Sequence, residues 1–197
     1  IGVIFPFDPY ISSGPAYTFL VAIPIKIFGN DPDVIKPFMA LVHIGLLASC
    51  LLLIKSLLRS ASKFFWMLLF CLGFFCVVEF KFWHRSAGEL LSLLYFVNSI
   101  FVIELSWRKK SICMALLGGL LVAAAVLTKN QAWLFAIGLL AAMLFVSVHD
   151  VYKKQASCVL VFKLWAAFLV ALLSPLLAWH CYENISLQHL ANIDPSL

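Results

Sequence analysis

The sequence predicts an all-α integral membrane protein: a six-transmembrane-helix bundle preceded by a juxtamembrane helix on the outer face. Three observations predict it. Of the 197 residues, 64% are apolar and only 12% are charged, and the mean hydropathy is +1.05, whereas a soluble domain carries about 25% charged residues. The charges are segregated into short clusters between apolar runs, and those runs approach the roughly 17–25 residues needed to cross a hydrocarbon core about 30 Å thick. Lipid also offers no hydrogen-bond partner to a bare backbone, so such runs are expected to cross as helices.

Six runs of this kind lie at 34–58, 64–80, 88–107, 112–128, 132–149 and 159–179. An earlier apolar stretch, 15–28, is short for a span and is interrupted by Pro24 and Lys26. It is therefore expected to lie on the outer surface as a juxtamembrane helix. The resulting organisation is an outer-face loop and juxtamembrane helix at 1–33, a transmembrane bundle at 34–180, and an outer-face tail or the start of a further loop at 181–197. The first residue is Ile1, and no basic leader with a small-residue cleavage site precedes the first apolar stretch, so the chain is expected to be a piece of a longer or processed protein.

Lysine and arginine collect in cytoplasmic loops, which orients the bundle. With residue 34 outside, Lys55, Arg59, Lys63, Arg108, Lys109, Lys110, Lys153, Lys154 and Lys163 fall inside, against Lys26, Lys36, Lys81, Arg85 and Lys129 outside: nine against five. The same rule accounts for the net charge of +5, so no nucleic-acid partner is expected. In the fourth run Gly118, Gly119 and Ala123 to Ala125, and in the fifth Ala136, Gly138, Ala141 and Ala142, are residues small enough to let helix backbones approach closely in lipid. These two runs are expected to form a hairpin about the turn Thr128-Lys129-Asn130-Gln131. The six cysteines show no C-x-x-C spacing and read as small hydrophobes. No nucleotide-binding loop or metal-ligand spacing is present, so neither a bound cofactor nor a metal is expected.

On the predicted outer side, polar groups gather at helix ends: Asp8, Ser12, Ser13, His84, Arg85, Glu89, Lys129, Asn130, Gln131, His180, Tyr182 and Glu183. Two of them stand in costly places. Glu89 opens the third run, where the helix dipole favours a carboxylate and Arg85 stands four residues away. Lys129 is held between two apolar helices by a tight turn; it either joins a site or snorkels to headgroup level. Elsewhere Glu104 and Arg108 make an ordinary i,i+4 pair, and His43 is expected to hydrogen-bond between helices. Asn184-Ile185-Ser186 fits a glycosylation sequon.

Three pieces of the sequence resemble segments of the GT-C glycosyltransferases, in the group related to protein O-mannosyltransferases and lipid A aminoarabinose transferase. The first is Phe7-Asp8-Pro9-Tyr10-Ile11-Ser12-Ser13-Gly14-Pro15, which leads into an apolar helix ending in Ile27-Phe28-Gly29-Asn30. The second is Gly88-Glu89, opening a span after an outer loop. The third is Leu127-Thr128-Lys129-Asn130-Gln131-Ala132, joining two spans after a Gly/Ala-rich helix. The resemblance runs from about Phe7 to His149, in order.

What the resemblance implies is transfer of a sugar from a polyprenyl-phosphate donor to an acceptor on the periplasmic or lumenal face, in a bacterial inner membrane or the endoplasmic reticulum membrane. The partners would be the lipid-linked sugar and the bilayer. A carboxylate would act as general base and fixed cations would stabilise the departing phosphate. Lys129 and Arg85 are the candidates for the phosphate, and Ser12, Ser13, His84, Glu89, Asn130 and Gln131 for the substrate. The family's aspartate lies near the end of the first transmembrane helix, well before the Gly-Pro segment. Here Asp8 is the one carboxylate ahead of the juxtamembrane helix, so the base is expected at Asp8 or upstream of Ile1. Two other classes fit the composition: a transporter or flippase of a lipid-linked or small anionic solute, and a noncatalytic membrane scaffold subunit.

Overall fold

A computed structural model describes residues 14–29, 35–57, 87–154 and 156–193, which are helical apart from short turns and ends. The helices are α1 (Pro15–Phe28), α2 (Ile35–Leu57), α3 (Ala87–Lys109), α4 (Ile112–Thr128), α5 (Ala132–Tyr152) and α6 (Cys158–Ile193). Among the described residues, α2, α3, α5 and α6 are long and apolar enough to cross a membrane. Large side chains face outward, Leu41, Leu134, Phe145, Phe162 and Val170 each being more than half exposed, while Ser92, Ser99, Ser106, Thr128 and Ser147 are buried. An apolar exterior around small and polar interior groups suits lipid as the solvent. The protein is a multi-pass helical membrane protein.

The predicted run 64–80 lies outside the described residues. The run 112–128 forms a helix with the predicted bounds, and its 17 residues make it about 26 Å long, at the short end of the range for a crossing. This helix, α4, is an internal element, buried at intervals from Ala115 to Thr128.

Polar side chains fix the directions of the helices. Gly45 faces Leu94, and Asn98 donates through Nδ2 to Ser49 Oγ at 2.8 Å. Both pairs share one offset, so α2 and α3 run parallel, and α2 ends at the side opposite to where α3 begins. Asn98, which the sequence analysis does not single out, makes an interhelical bond, and His43 donates from Nδ1 to the Met39 carbonyl of its own helix at 2.7 Å. Between α3 and α4 the pairing is antiparallel, with Ile103 against Gly118 and the Ser92 hydroxyl donating to the Ala125 carbonyl at 3.0 Å. The turn between them begins when Lys110 takes a left-handed conformation (φ 53°), and Ser111 caps α4 by accepting from the Met114 N–H. Glu104 pairs with Arg108 as expected.

The expected close hairpin of the fourth and fifth runs is not what forms. A Cβ at Gly118 would meet Ile103 of α3 at 2.7 Å, and one at Gly119 would collide with the Phe168 carbonyl and Ala171 of α6, whereas Gly138 of α5 faces open space. The glycines of α4 thus admit α3 and α6. A three-residue turn forces succession but not face-to-face packing, and α5 presents only a narrow seam of Ala132, Ala136, Met143 and Ser147 to the bundle.

The last helix also departs from expectation. α6 is 36 residues long, with Pro175 inside it, or about 54 Å, and it continues through 180–193 where a tail or loop was predicted. Loss of apolar character ends a membrane crossing but does not end a helix; this segment contains no Gly or Pro to stop it. The rings of Trp179 and Tyr182 meet at a tilt of 36° with centroids 5.3 Å apart, His180 pairs with Asn184 at 3.1 Å, and the sequon asparagine sits on a helix.

Candidate functional site

Three chain segments meet at one end of the bundle: the start of α1, the start of α3 and the end of α4. Helix α1 begins at Gly14 with Pro15 in its first turn, where a missing N–H costs nothing. The Gly14 N–H donates to the Thr128 carbonyl at 2.7 Å, and a Cβ there would collide with the Leu127 carbonyl. A glycine is needed for that approach. Beyond this contact Tyr17 and Leu20 pack on a cluster of Val42, Leu46, Leu90 and Leu91, while Phe19, Ile23, Ile27 and Phe28 stay exposed. The helix stops at Gly29 (φ 98°, ψ 172°), a conformation that is essentially glycine's alone.

The carbonyls at the C-terminus of α4, which have no partners within the helix, are taken up from three directions. Ala125 accepts from the Lys129 N–H at 3.1 Å and from Ser92; Ala124 accepts from the Thr128 hydroxyl at 2.7 Å; Thr128 accepts from Gly14. The chain then leaves in extended form at Lys129 (φ −150°, ψ 121°), and α5 starts as Ala132 and Trp133 donate to the carbonyls of Lys129 and Asn130.

This geometry turns the Lys129 side chain inward. Its Nζ donates to Glu89 Oε1 at 2.7 Å, with the lysine side chain 7% exposed and the glutamate 42%. The snorkelling alternative is therefore corrected: Lys129 reaches into the junction and not out to headgroup level. Glu89 sits in the first turn of α3 and Lys129 closes α4, so each charge also complements the dipole of the helix end that carries it. An ammonium has three N–H donors and Glu89 takes one, so an incoming anion would share a cation that is already oriented.

Of the candidate residues, the fold brings Glu89 and Lys129 together. Asn130 and Gln131 are exposed in the adjoining turn. Asp8, Ser12, Ser13, His84 and Arg85 lie outside the described residues, and with Arg85 the expected Glu89–Arg85 pair. His180 and Tyr182 are on the exposed surface of α6. Gly14, Ser92 and Thr128 hold the junction together, yet none was a candidate; the Gly-Pro dipeptide and the Thr-Lys turn, already singled out in the resemblance, were the available signals. No protein-family model matches the chain, and comparison with curated proteins and with solved structures gives no match.

Proposed function

We propose that the chain is a membrane glycosyltransferase of GT-C type, moving a sugar from a polyprenyl-phosphate donor to an acceptor on the periplasmic or lumenal face. One observation carries this reading. The three pieces on which the resemblance rests, Gly14-Pro15, Gly88-Glu89 and Thr128-Lys129-Asn130-Gln131, are far apart in sequence and fold to a single junction through the Gly14–Thr128 and Glu89–Lys129 contacts. In this reading Lys129 stabilises the departing phosphate together with Arg85, Glu89 holds the ammonium in place, and Asn130 and Gln131, with Ser12, Ser13 and His84, contact the substrate. Asp8, or a carboxylate upstream of it, takes the acceptor's proton. The parallel course of α2 and α3 supports a crossing between them and so six crossings in all, with α1 on the outer surface.

Sugar transfer from a polyprenyl-phosphate donor, measured with full-length protein in membranes, tests the proposal. If contact with Lys129 strengthens by about 2–4 kcal/mol in the transition state, Lys129→Met lowers turnover about 30- to 1,000-fold. Undiminished transfer by a normally expressed Lys129→Met protein removes Lys129 from the site. Solute flux into proteoliposomes without any transfer moves the chain to the transporter class.

A further inference from the structure

We infer that the groove between α5 and α6, at the end of the bundle that carries the basic clusters, binds one anionic phospholipid, with an acyl chain in the groove and the headgroup on Lys153 and Lys154. The groove has a volume of about 620 Å³, and Leu144, Val148, Val151 and Tyr152 of α5 face Phe162 and Trp165 of α6 across it. Pockets for small ligands span about 300–1,000 Å³. Deep in it Trp165 donates through Nε1 to Ser147 Oγ at 2.8 Å and Ser147 donates to the Met143 carbonyl, and the wall is otherwise mainly hydrocarbon. Leu144, Val148 and Phe162 are each more than half exposed, so the groove opens sideways to the membrane. An apolar trough open to lipid is filled by a hydrocarbon chain and not by water.

Charge decides which lipid. Tyr152 is 81% exposed at the end of the groove, a place where an amphipathic ring suits headgroup level. Directly after it come Lys153 and Lys154, both exposed, and the one acidic group described in this turn region, Asp150, lies 3.4 Å from His149 Nδ1. The balance is positive. Lys154 adopts a left-handed conformation (φ 56°), as does Lys110 (φ 53°) in the other turn at this end. Glycine takes that conformation without strain, so both turns keep a cation where the backbone would favour its absence. Basic pockets between transmembrane helices recognise anionic headgroups in this way.

Delipidated full-length protein in detergent, titrated with phosphatidylglycerol or with phosphatidylcholine of identical chains and read by native mass spectrometry, tests this. One phosphatidylglycerol is expected to bind about 30-fold more tightly, taking each lysine as roughly five-fold near an anionic lipid. Lys153→Gln/Lys154→Gln, on exposed positions that leave packing untouched, should bring the two lipids level. Val148→Trp should weaken both by filling the trough. Equal binding to the unaltered protein, or a preference that survives in the double lysine variant, overturns the inference. So does a dimer cross-linking through Phe162→Cys that retains no lipid, since the groove would then hold a second copy.

Discussion

Removing either member of the Glu89–Lys129 pair should have unequal consequences, because the two partners are unequally buried. Glu89→Ala strands an ammonium that is 7% exposed. Stranding one partner of a fully buried pair costs about 3–5 kcal/mol, while losing a surface pair costs about 0–1 kcal/mol. With the glutamate 42% exposed and a lysine stem long enough to relocate in part, the expected loss is about 2–3 kcal/mol. Lys129→Met takes the ammonium away from a carboxylate that keeps access to polar surroundings and retains the favourable dipole at the start of α3, worth about 0.3–1 kcal/mol. The expected loss there is about 1 kcal/mol. The double variant strands nothing, so it should resemble Lys129→Met alone, leaving a coupling of about 2 kcal/mol in a double-mutant cycle. Reversible unfolding in mixed detergent micelles, followed by tryptophan fluorescence, measures all three. If Lys129→Met costs as much as Glu89→Ala, or if the two losses add, the inward-turned lysine is wrong.

Two further outcomes follow from the packing. Gly119→Ala should destabilise the bundle by about 1–3 kcal/mol because the new methyl meets the α6 backbone, whereas Gly138→Ala, which faces open space, should stabilise by about 0.5–1 kcal/mol through helix propensity; thermal unfolding of the two variants side by side separates them. Labelling with an impermeant thiol reagent on a cysteine-free background should reach Ser111→Cys and Ser157→Cys from one side of the membrane and Asn130→Cys from the other, and labelling of all three from one side would defeat the topology.

The helices were legible because lipid imposes a strong rule on sequence. A run must be apolar along its whole length to cross, so 112–128 was delimited to the residue, and 34–58 and 88–107 to within two. The same rule misleads at 180–193, where polarity marks the membrane boundary while the backbone continues to propagate a helix. It is also silent about partners. Gly118 and Gly119 announce that another backbone comes close, but nothing in their spacing says whether it belongs to α3, α5 or α6. That choice depends on the angular position of each small residue around α4 and on the bulk of the opposing Ile103 and Phe168.

The ion pair at the site was within reach of the sequence by a different route. Lys129 stands as many residues after the turn at Lys110 and Ser111 as Ser92 stands before it. In an antiparallel pair of straight helices, Lys129 therefore falls opposite Ser92, and Glu89 is one helical turn further along the same face, within the span of a lysine side chain. Ser92 in fact meets Ala125, one turn before Lys129, a shift that brings Glu89 itself level with Lys129. What hid the pair was the assumption that the fourth run folds against the fifth, which leaves Glu89 to look for a cation next to it in sequence. Once α3 and α4 are taken as the packed hairpin, the carboxylate at the start of one and the lysine at the end of the other are brought to the same level. Both are then better satisfied by each other than by lipid. The start of α1 closes the same corner by filling a carbonyl that the end of α4 leaves open, and that is how three segments with little polarity of their own come to make one polar junction at the membrane's edge.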